Sequence, residues 1–393
     1  METFEFCSVG RIIFGRGAFA RLAELTAELG RSTLVITNAG EIGGGGPVDE
    51  LAGLLDAANL RHAFVRQRGE PQIADVDRAL QEARRSECDV VIGLGGGSAM
   101  DTAKAVAGLL TNGRAPIDYM EVIGQGRKIT KPAAPWIAVP TTAGTGAEVT
   151  RNAVLACREK HFKASIRSPH LLARLVVVDP ELGVGVRPEI TARAGMDALC
   201  QLIESCTSNA ARPVTDALAM EGISRAAAAL PRAFADGTDL DAREDMAAAA
   251  LLSGITLTNA GLGAVHGFAA PLGANFSVPH GIICAALLPH VMEANVRALR
   301  ELSADQPVLS RYAAIGRVLT GKADLADPEA IEAGIRHVDA LVRDLRIPPL
   351  GQFGITQDRI PEMVALAAKS SSMRYNPVKL PNEVLAEALQ KAL

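Results

Sequence analysis

The chain has 393 residues, of which 48% are hydrophobic and 21% charged, with a formal net charge of −4. That length exceeds what one hydrophobic core usually organises, so more than one domain is expected. The charge balance gives no reason to expect nucleic acid or a membrane as a partner.

In chain order, the opening "METFEFCSVGRIIFGRG" has no basic segment followed by an apolar core, so it does not read as a secretory signal. The first 180 or so residues alternate apolar β-rich runs with helical patterns. "TLVITN" precedes the helical "PVDELAGLLDAANL", and "HAFVRQ" precedes "IADVDRALQEARRS". "CDVVIGLGGGS" leads into "AMDTAKAVAGLLTN", and "PWIAVPTTAGTG" and "LARLVVVD" complete the series. Continuous Val/Ile/Leu strands alternating with helices predict βαβ units and a parallel sheet covered on both faces. After "DPELGVGVRPEITARAG" the pattern becomes Ala/Leu-rich helix with almost no strand, and Pro188 suits a helix entry. Two domains are expected, 1–185 α/β and 186–393 all-helical. The longest apolar runs are strand-sized and short of a membrane span. Six cysteines without CxxC spacing argue against a disulfide framework or a zinc knot, and for reduced thiols in a cytoplasmic protein.

Four stretches carry chemistry. In "GLGGGSAMDTAK" an apolar strand runs into Gly95, Gly96 and Gly97, and Ser98 is expected to cap the helix that carries Asp101 and Lys104. Glycines let a phosphate approach the backbone, and a helix N-terminus supplies amides for it. Neither GxGxxG nor GxxxxGK[ST] is present, so a tight βα packing turn is the plainer alternative. "PTTAGTGAEVT" adds hydroxyls after another strand, and together the two loops favour a dinucleotide across the carboxyl ends of the sheet. In "GMDALCQLIES", Asp197, Gln201 and Glu204 share one helix face. Further on, "GAVHGFAAPLGANFSVPHGIICAALLPHVMEAN" holds His266 and His280, with Pro271 and Pro279 expected to interrupt any continuous helix. Imidazoles suit a first-row divalent metal, and Asp197 would add a carboxylate. A buried histidine is more often a satisfied core residue, so spacing alone leaves both readings open. His290 reads as structural, Cys200 as packing, and Glu204 as a partner for a backbone or Arg group.

In this order, "GRIIFGRG", "GGGSAMDTAK", "PTTAGTGAEVT", "VVDPEL", "AGMDAL", "VHGFAAPLGANFSVPHG", "LLPHV" and "NPVKL" resemble the iron-containing (group III) alcohol dehydrogenase family nearly end to end. The resemblance implies an α/β N-terminal dinucleotide-binding domain (parallel sheet, Rossmann-like) plus an all-α C-terminal domain, a dehydroquinate synthase-like architecture with the active site in the cleft. It implies an NAD(P)-dependent oxidoreductase acting on a small alcohol, aldehyde or keto substrate, and a homodimer. Gly96, Gly97, Ser98 and Asp101 match the pyrophosphate loop, Thr141, Thr142 and Thr145 the second cofactor loop, and Thr150 and Lys163 further cofactor-side positions. Asp197, Gln201, His266 and His280 occupy the metal-ligand positions for Fe2+ or Zn2+, and Asp197, His266 and His280 are the expected catalytic residues.

Three departures from the family pattern follow. Gln201 stands where histidine is usual, and a carboxamide oxygen is a weaker, harder ligand, so weak binding, zinc or another ion, or no metal are all open. Ala270 stands where many members carry a relay histidine. Asn38 ends a strand where NAD-preferring members often have Asp, which leaves NADP open beside NAD. Two alternatives accompany this reading: a metal-independent reductase resembling maleylacetate reductases, motivated by Gln201 and Ala270, and a lyase resembling dehydroquinate synthase.

Overall fold

A computed structural model describes residues 3–40, 43–120, 123–157, 162–303 and 307–393. Two compact units emerge. One is Cys7–Thr142 with Gly146–Val184; the other is Gly185–Leu393 with Ala143–Thr145 and the segment ending at Phe6.

The first unit is built on strands β1 (Ile12–Phe14), β2 (Ser32–Thr37), β3 (Arg61–Arg66), β4 (Val90–Gly95), β5 (Trp136–Pro140) and β8 (Leu175–Val178). They form one parallel sheet in the order β1-β8-β5-β4-β2-β3. Helices α1 (Leu22–Ala27), α2 (Pro47–Ala57), α3 (Ile73–Arg85), α4 (Gly97–Asn112) and α5 (Pro116–Tyr119) connect them. Strands β2 and β4 are buried along their whole length, which is why they read as unbroken apolar runs and not as alternation. From β2 the chain crosses through α2 to β3 on one side, and from β4 through α4 to β5 on the other. The strand order therefore reverses between β2 and β4, the place where open α/β sheets bind ligands beyond their carboxyl ends.

An antiparallel hairpin, β6 (Asn152–Cys157) with β7 (Phe162–Arg167), lies outside this sheet. The sequence reading had neither this hairpin nor β1. β1 is only three residues long and the hairpin strands carry polar residues, and pairing partners decide such segments more than composition does.

Among the described residues of the second unit every regular element is helical: α6 (Pro188–Thr207), α7 (Pro213–Ala235), α8 (Leu240–Ala260), α9 (Ala264–Asn275), α10 (His280–Leu302), α11 (Pro307–Thr320), α12 (Asp327–Asp344), α13 (Ile360–Ala367) and α14 (Asn382–Lys391), with short 3-10 turns between. Pro188 is the first residue of α6, as expected. Pro271 does not interrupt its helix; it lies inside α9, whereas Pro279 caps the start of α10. A mid-helix proline costs one backbone bond, and packing of the apolar α9 face around Phe268 and Leu272 into the core outweighs it here. Helix α10 is long and apolar enough to cross a membrane by length and composition, yet 72% of its apolar window is buried among the other helices.

Candidate active site

Two clusters of polar residues stand out, one in each unit. In the first, the turn after β4 needs glycine at position 95. Its φ is +148°, and a Cβ there would lie 2.0 Å from Asn38 Oδ1. That close approach is used: the Gly96 amide donates to Asn38 Oδ1 at 2.9 Å. The Thr141 amide donates to the Gly95 carbonyl at 2.9 Å, which ties the loop after β5 to the same turn. Asn38, Gly96, Gly97, Ser98, Thr141 and Thr142 thus gather at the carboxyl ends of β2, β4 and β5. The cap is Gly96 and not Ser98, which sits in the first turn of α4 with its carbonyl accepting from Thr102 Oγ1. An extended φ/ψ at residue 96 and a small residue against Thr142 decide this. Among the described residues no acceptor takes the Gly97 or Ser98 amides, the arrangement that anions exploit.

Asp101 and Thr150 lie deeper. The fully buried Lys104 ammonium donates to the Ala147 carbonyl (2.9 Å), Thr150 Oγ1 (2.8 Å) and the Asn152 carbonyl (2.8 Å), with Asp101 at 3.6 Å. Burial pushes Asp101 up to about 6 and Glu148 up to about 7, and lowers Lys104. This knot fastens α4 to the second loop. Lys163, on β7, pairs with Glu70 at 2.6 Å. Thr145 belongs to the helical unit together with Ala143 and Gly144.

The second cluster is assembled by α6, α9 and α10. Asp197 is 2% exposed, and its Oδ1 has no hydrogen-bond partner among the described residues. That oxygen faces His266 Nε2 at 3.4 Å and His280 Nε2 at 3.5 Å. Cys284, one turn after His280, places Sγ 3.6 Å from each of the same two nitrogens. On the far side of the His266 ring, Nδ1 meets Glu204 Oε2 at 2.6 Å, while Glu204 Oε1 accepts the Val265 amide at 2.7 Å. Gly263 makes room for that carboxylate, since a Cβ there would come within 2.9 Å of Glu204 Oε1. Asn376, in "NPVKL", caps the same turn by accepting the Ala264 amide at 3.0 Å.

Electrostatics match the geometry. Burial opposes charge on His266, but the surrounding Cys284, Asp197 and Glu204 more than offset it and hold its pKa well above the ordinary value. Burial likewise opposes charge on Asp197, and the facing imidazoles hold it below the ordinary value. Burial drives the Cys284 thiol well up. A pocket that draws protons onto imidazole in this way attracts cations, and the orphaned carboxylate oxygen among two imidazole nitrogens and a thiol is a donor set that fits a divalent transition ion.

Gln201, the remaining expected ligand, is buried, and its Oε1 accepts from Ser253 Oγ at 2.9 Å. Sequence reasoning gave Glu204 a backbone partner, which it has, but missed its bond to His266. It also missed Cys284. The four-residue spacing from His280 was available as a signal, though a cysteine in an apolar helix reads as core.

A family model described as iron-containing alcohol dehydrogenase matches residues 10–180, and the C-terminal model of the Fe-containing alcohol dehydrogenase family matches 191–393. The choline dehydrogenase of Bacillus subtilis (strain 168) is 35% identical over 377 residues, covering 96% of this chain and 91% of that protein. The lactaldehyde reductase of Escherichia coli (strain K12) is 35% identical over 382 residues, covering 96% and 97%. A solved 1,3-propanediol oxidoreductase superposes with a TM-score of 0.92 at 32% identity, covering 100% of both chains.

Proposed function

Since the chain belongs to the iron-containing alcohol dehydrogenase family, and so is an alcohol dehydrogenase or aldehyde reductase working with a nicotinamide dinucleotide and a divalent metal, we propose which of its residues carry the reaction. Asp197, His266 and His280 hold the ion, and the turn Gly96–Ser98 with Asn38, Thr141 and Thr142 holds the dinucleotide. The observation that carries the first assignment is the buried, unpartnered Asp197 Oδ1 facing two imidazole nitrogens.

When bound, the ion polarises the substrate oxygen and the nicotinamide exchanges a hydride with the substrate carbon. The chain's own groups prepare that step. Glu204 holds the His266 Nδ1 proton, so that with an ion in place of the Nε2 proton the Nε2 lone pair would serve as its ligand. Asp197 supplies the negative charge of the donor set. His280 is its open side, with 43% of the side chain exposed, so the substrate oxygen arrives there. Ala270, exposed on α9, has no ionisable group. Water or a ribose hydroxyl therefore carries the proton that the substrate oxygen exchanges.

Elemental analysis of the purified protein is expected to give one divalent ion per chain. Stripping it should lower aldehyde-dependent NAD(P)H oxidation by about 10³-fold, the order of a lost Lewis acid, with recovery when metal is restored. Turnover indifferent to chelation in metal-free protein would instead support the metal-independent reductase.

For the cofactor, Asn38 accepts the Gly96 amide without placing a negative charge beside the ribose site, so both NADH and NADPH are used. Asn38→Asp keeps the acceptor and adds the charge. It is expected to raise the KM for NADPH about tenfold or more relative to that for NADH, on the order of 1.4 kcal/mol of repulsion. An equal change for both dinucleotides would mean that residue 38 does not face the 2′-position.

A further inference from the structure

Resting on the metal reading above, we propose that Cys284 supplies the fourth protein ligand of the centre, in place of Gln201, and that its thiolate selects zinc over ferrous iron. The geometry leads there. Zinc lies about 2.0–2.1 Å from nitrogen or oxygen and about 2.3 Å from sulfur, so a regular tetrahedron has edges of about 3.3–3.4 Å between N or O donors and about 3.5–3.6 Å between N and S. The two edges from Asp197 Oδ1 to the imidazole nitrogens are 3.4 and 3.5 Å. Both edges from Cys284 Sγ to those nitrogens are 3.6 Å. All four donor atoms lie within 4.8 Å of one another.

Cys284 Sγ stands equally far from the two imidazole nitrogens, and the Asp197 oxygen that faces the same nitrogens takes no hydrogen bond among the described residues. Cys200 is a different case, because it lies 3.9 Å from His266 Nδ1, on the Glu204 side of the ring.

Gln201 has a separate occupation. Its Oε1 takes the Ser253 hydroxyl, which also reaches the Ala250 carbonyl at 2.8 Å, so the carboxamide is held toward α8. On binding, the Cys284 thiol loses its proton to solvent as the sulfur–metal bond forms, with no change of oxidation state. A soft thiolate suits zinc better than it suits a hard-ligand iron site. Four protein ligands would still let zinc polarise a substrate oxygen, because zinc tolerates expansion to five-coordination.

The test uses full-length protein stripped of metal and reloaded with Co(II) or Zn(II), with Cys284→Ser and Gln201→Ala alongside. Wild type with one cobalt per chain is expected to show an intense near-ultraviolet sulfur-to-cobalt charge-transfer band. Cys284→Ser should lose that band and bind zinc at least about 100-fold more weakly, at or beyond the roughly 10–100-fold cost of an outer-shell partner. Gln201→Ala should keep both the band and the affinity. Stoichiometric cobalt without the band in wild type overturns the thiolate ligand while leaving the metal centre standing. So does a Gln201→Ala loss that matches Cys284→Ser. Wild type that takes up neither ion overturns both readings. The wild-type spectrum decides even where the serine variant folds poorly.

Discussion

His266→Ala is expected to lower kcat/KM by about 10³-fold and to leave the protein without stoichiometric metal, because one imidazole serves two partners. Its Nε2 is a donor in the cluster, and its Nδ1 is the 2.6 Å partner of a buried carboxylate. Losing the donor removes most of the transition-state stabilisation an ion supplies, about 4 kcal/mol. Losing the partner leaves Glu204, 6% exposed, with the Val265 amide as its remaining hydrogen-bond donor among the described residues. Breaking a buried charged pair by removing one member typically costs about 3–5 kcal/mol. The variant should therefore also melt earlier. Pairing it with Glu204→Gln separates the two effects: the double variant should recover much of the stability, since a neutral amide is left where a carboxylate was, and recover none of the metal. Metal content by elemental analysis, kcat/KM and a thermal scan together decide it. An active, metal-replete His266→Ala protein would sink the assignment.

Lys104→Met is expected to cost about 3–5 kcal/mol in the unfolding transition of the α/β unit, with activity lost through the second loop and not through the metal. The side chain is fully buried and its ammonium satisfies three acceptors at once. Methionine fills the volume but leaves two carbonyls and a hydroxyl short of a donor, and removes the cation beside Asp101 and Glu148. The pH dependence has a definite sign. A carboxyl whose folded pKa is raised contributes stability that is complete below its ordinary pKa and lost as pH rises through the folded value. Asp101 and Glu148 already stand at about 6 and about 7 with the lysine in place, and both rise further without it. The deficit relative to wild type should therefore grow from pH 5.5 to pH 8. Urea unfolding at several pH values reads it, and a pH-independent deficit would show that the two carboxyls do not feel the lysine charge.

Much of the architecture was legible because burial writes itself into composition. Strands covered on both faces appear as "TLVIT" and "VVIGLG" without polar alternation, and the change after residue 188 marks where helices stack on helices. Segments stabilised by one neighbour, such as β1 and the β6–β7 hairpin, carried too weak a local signal. The helix through Pro271 was misjudged because a proline's local cost is visible in sequence and the packing that offsets it is not.

The sequence by itself determined the fold class, the family, the glycine-rich turn and the pair His266 and His280, since these depend on residue type and order along the chain. Tertiary structure decided what each polar atom faces. It turned Glu204 onto His266, engaged Gln201 with Ser253, gave Lys104 its three acceptors and set Cys284 beside both imidazoles. Apart from Cys284 with His280, four residues apart on α10, those relations join residues from different helices or loops. Whether a buried polar group is a ligand, a support or a packing residue depends on distances of a few tenths of an ångström between such elements, which spacing along one chain does not encode.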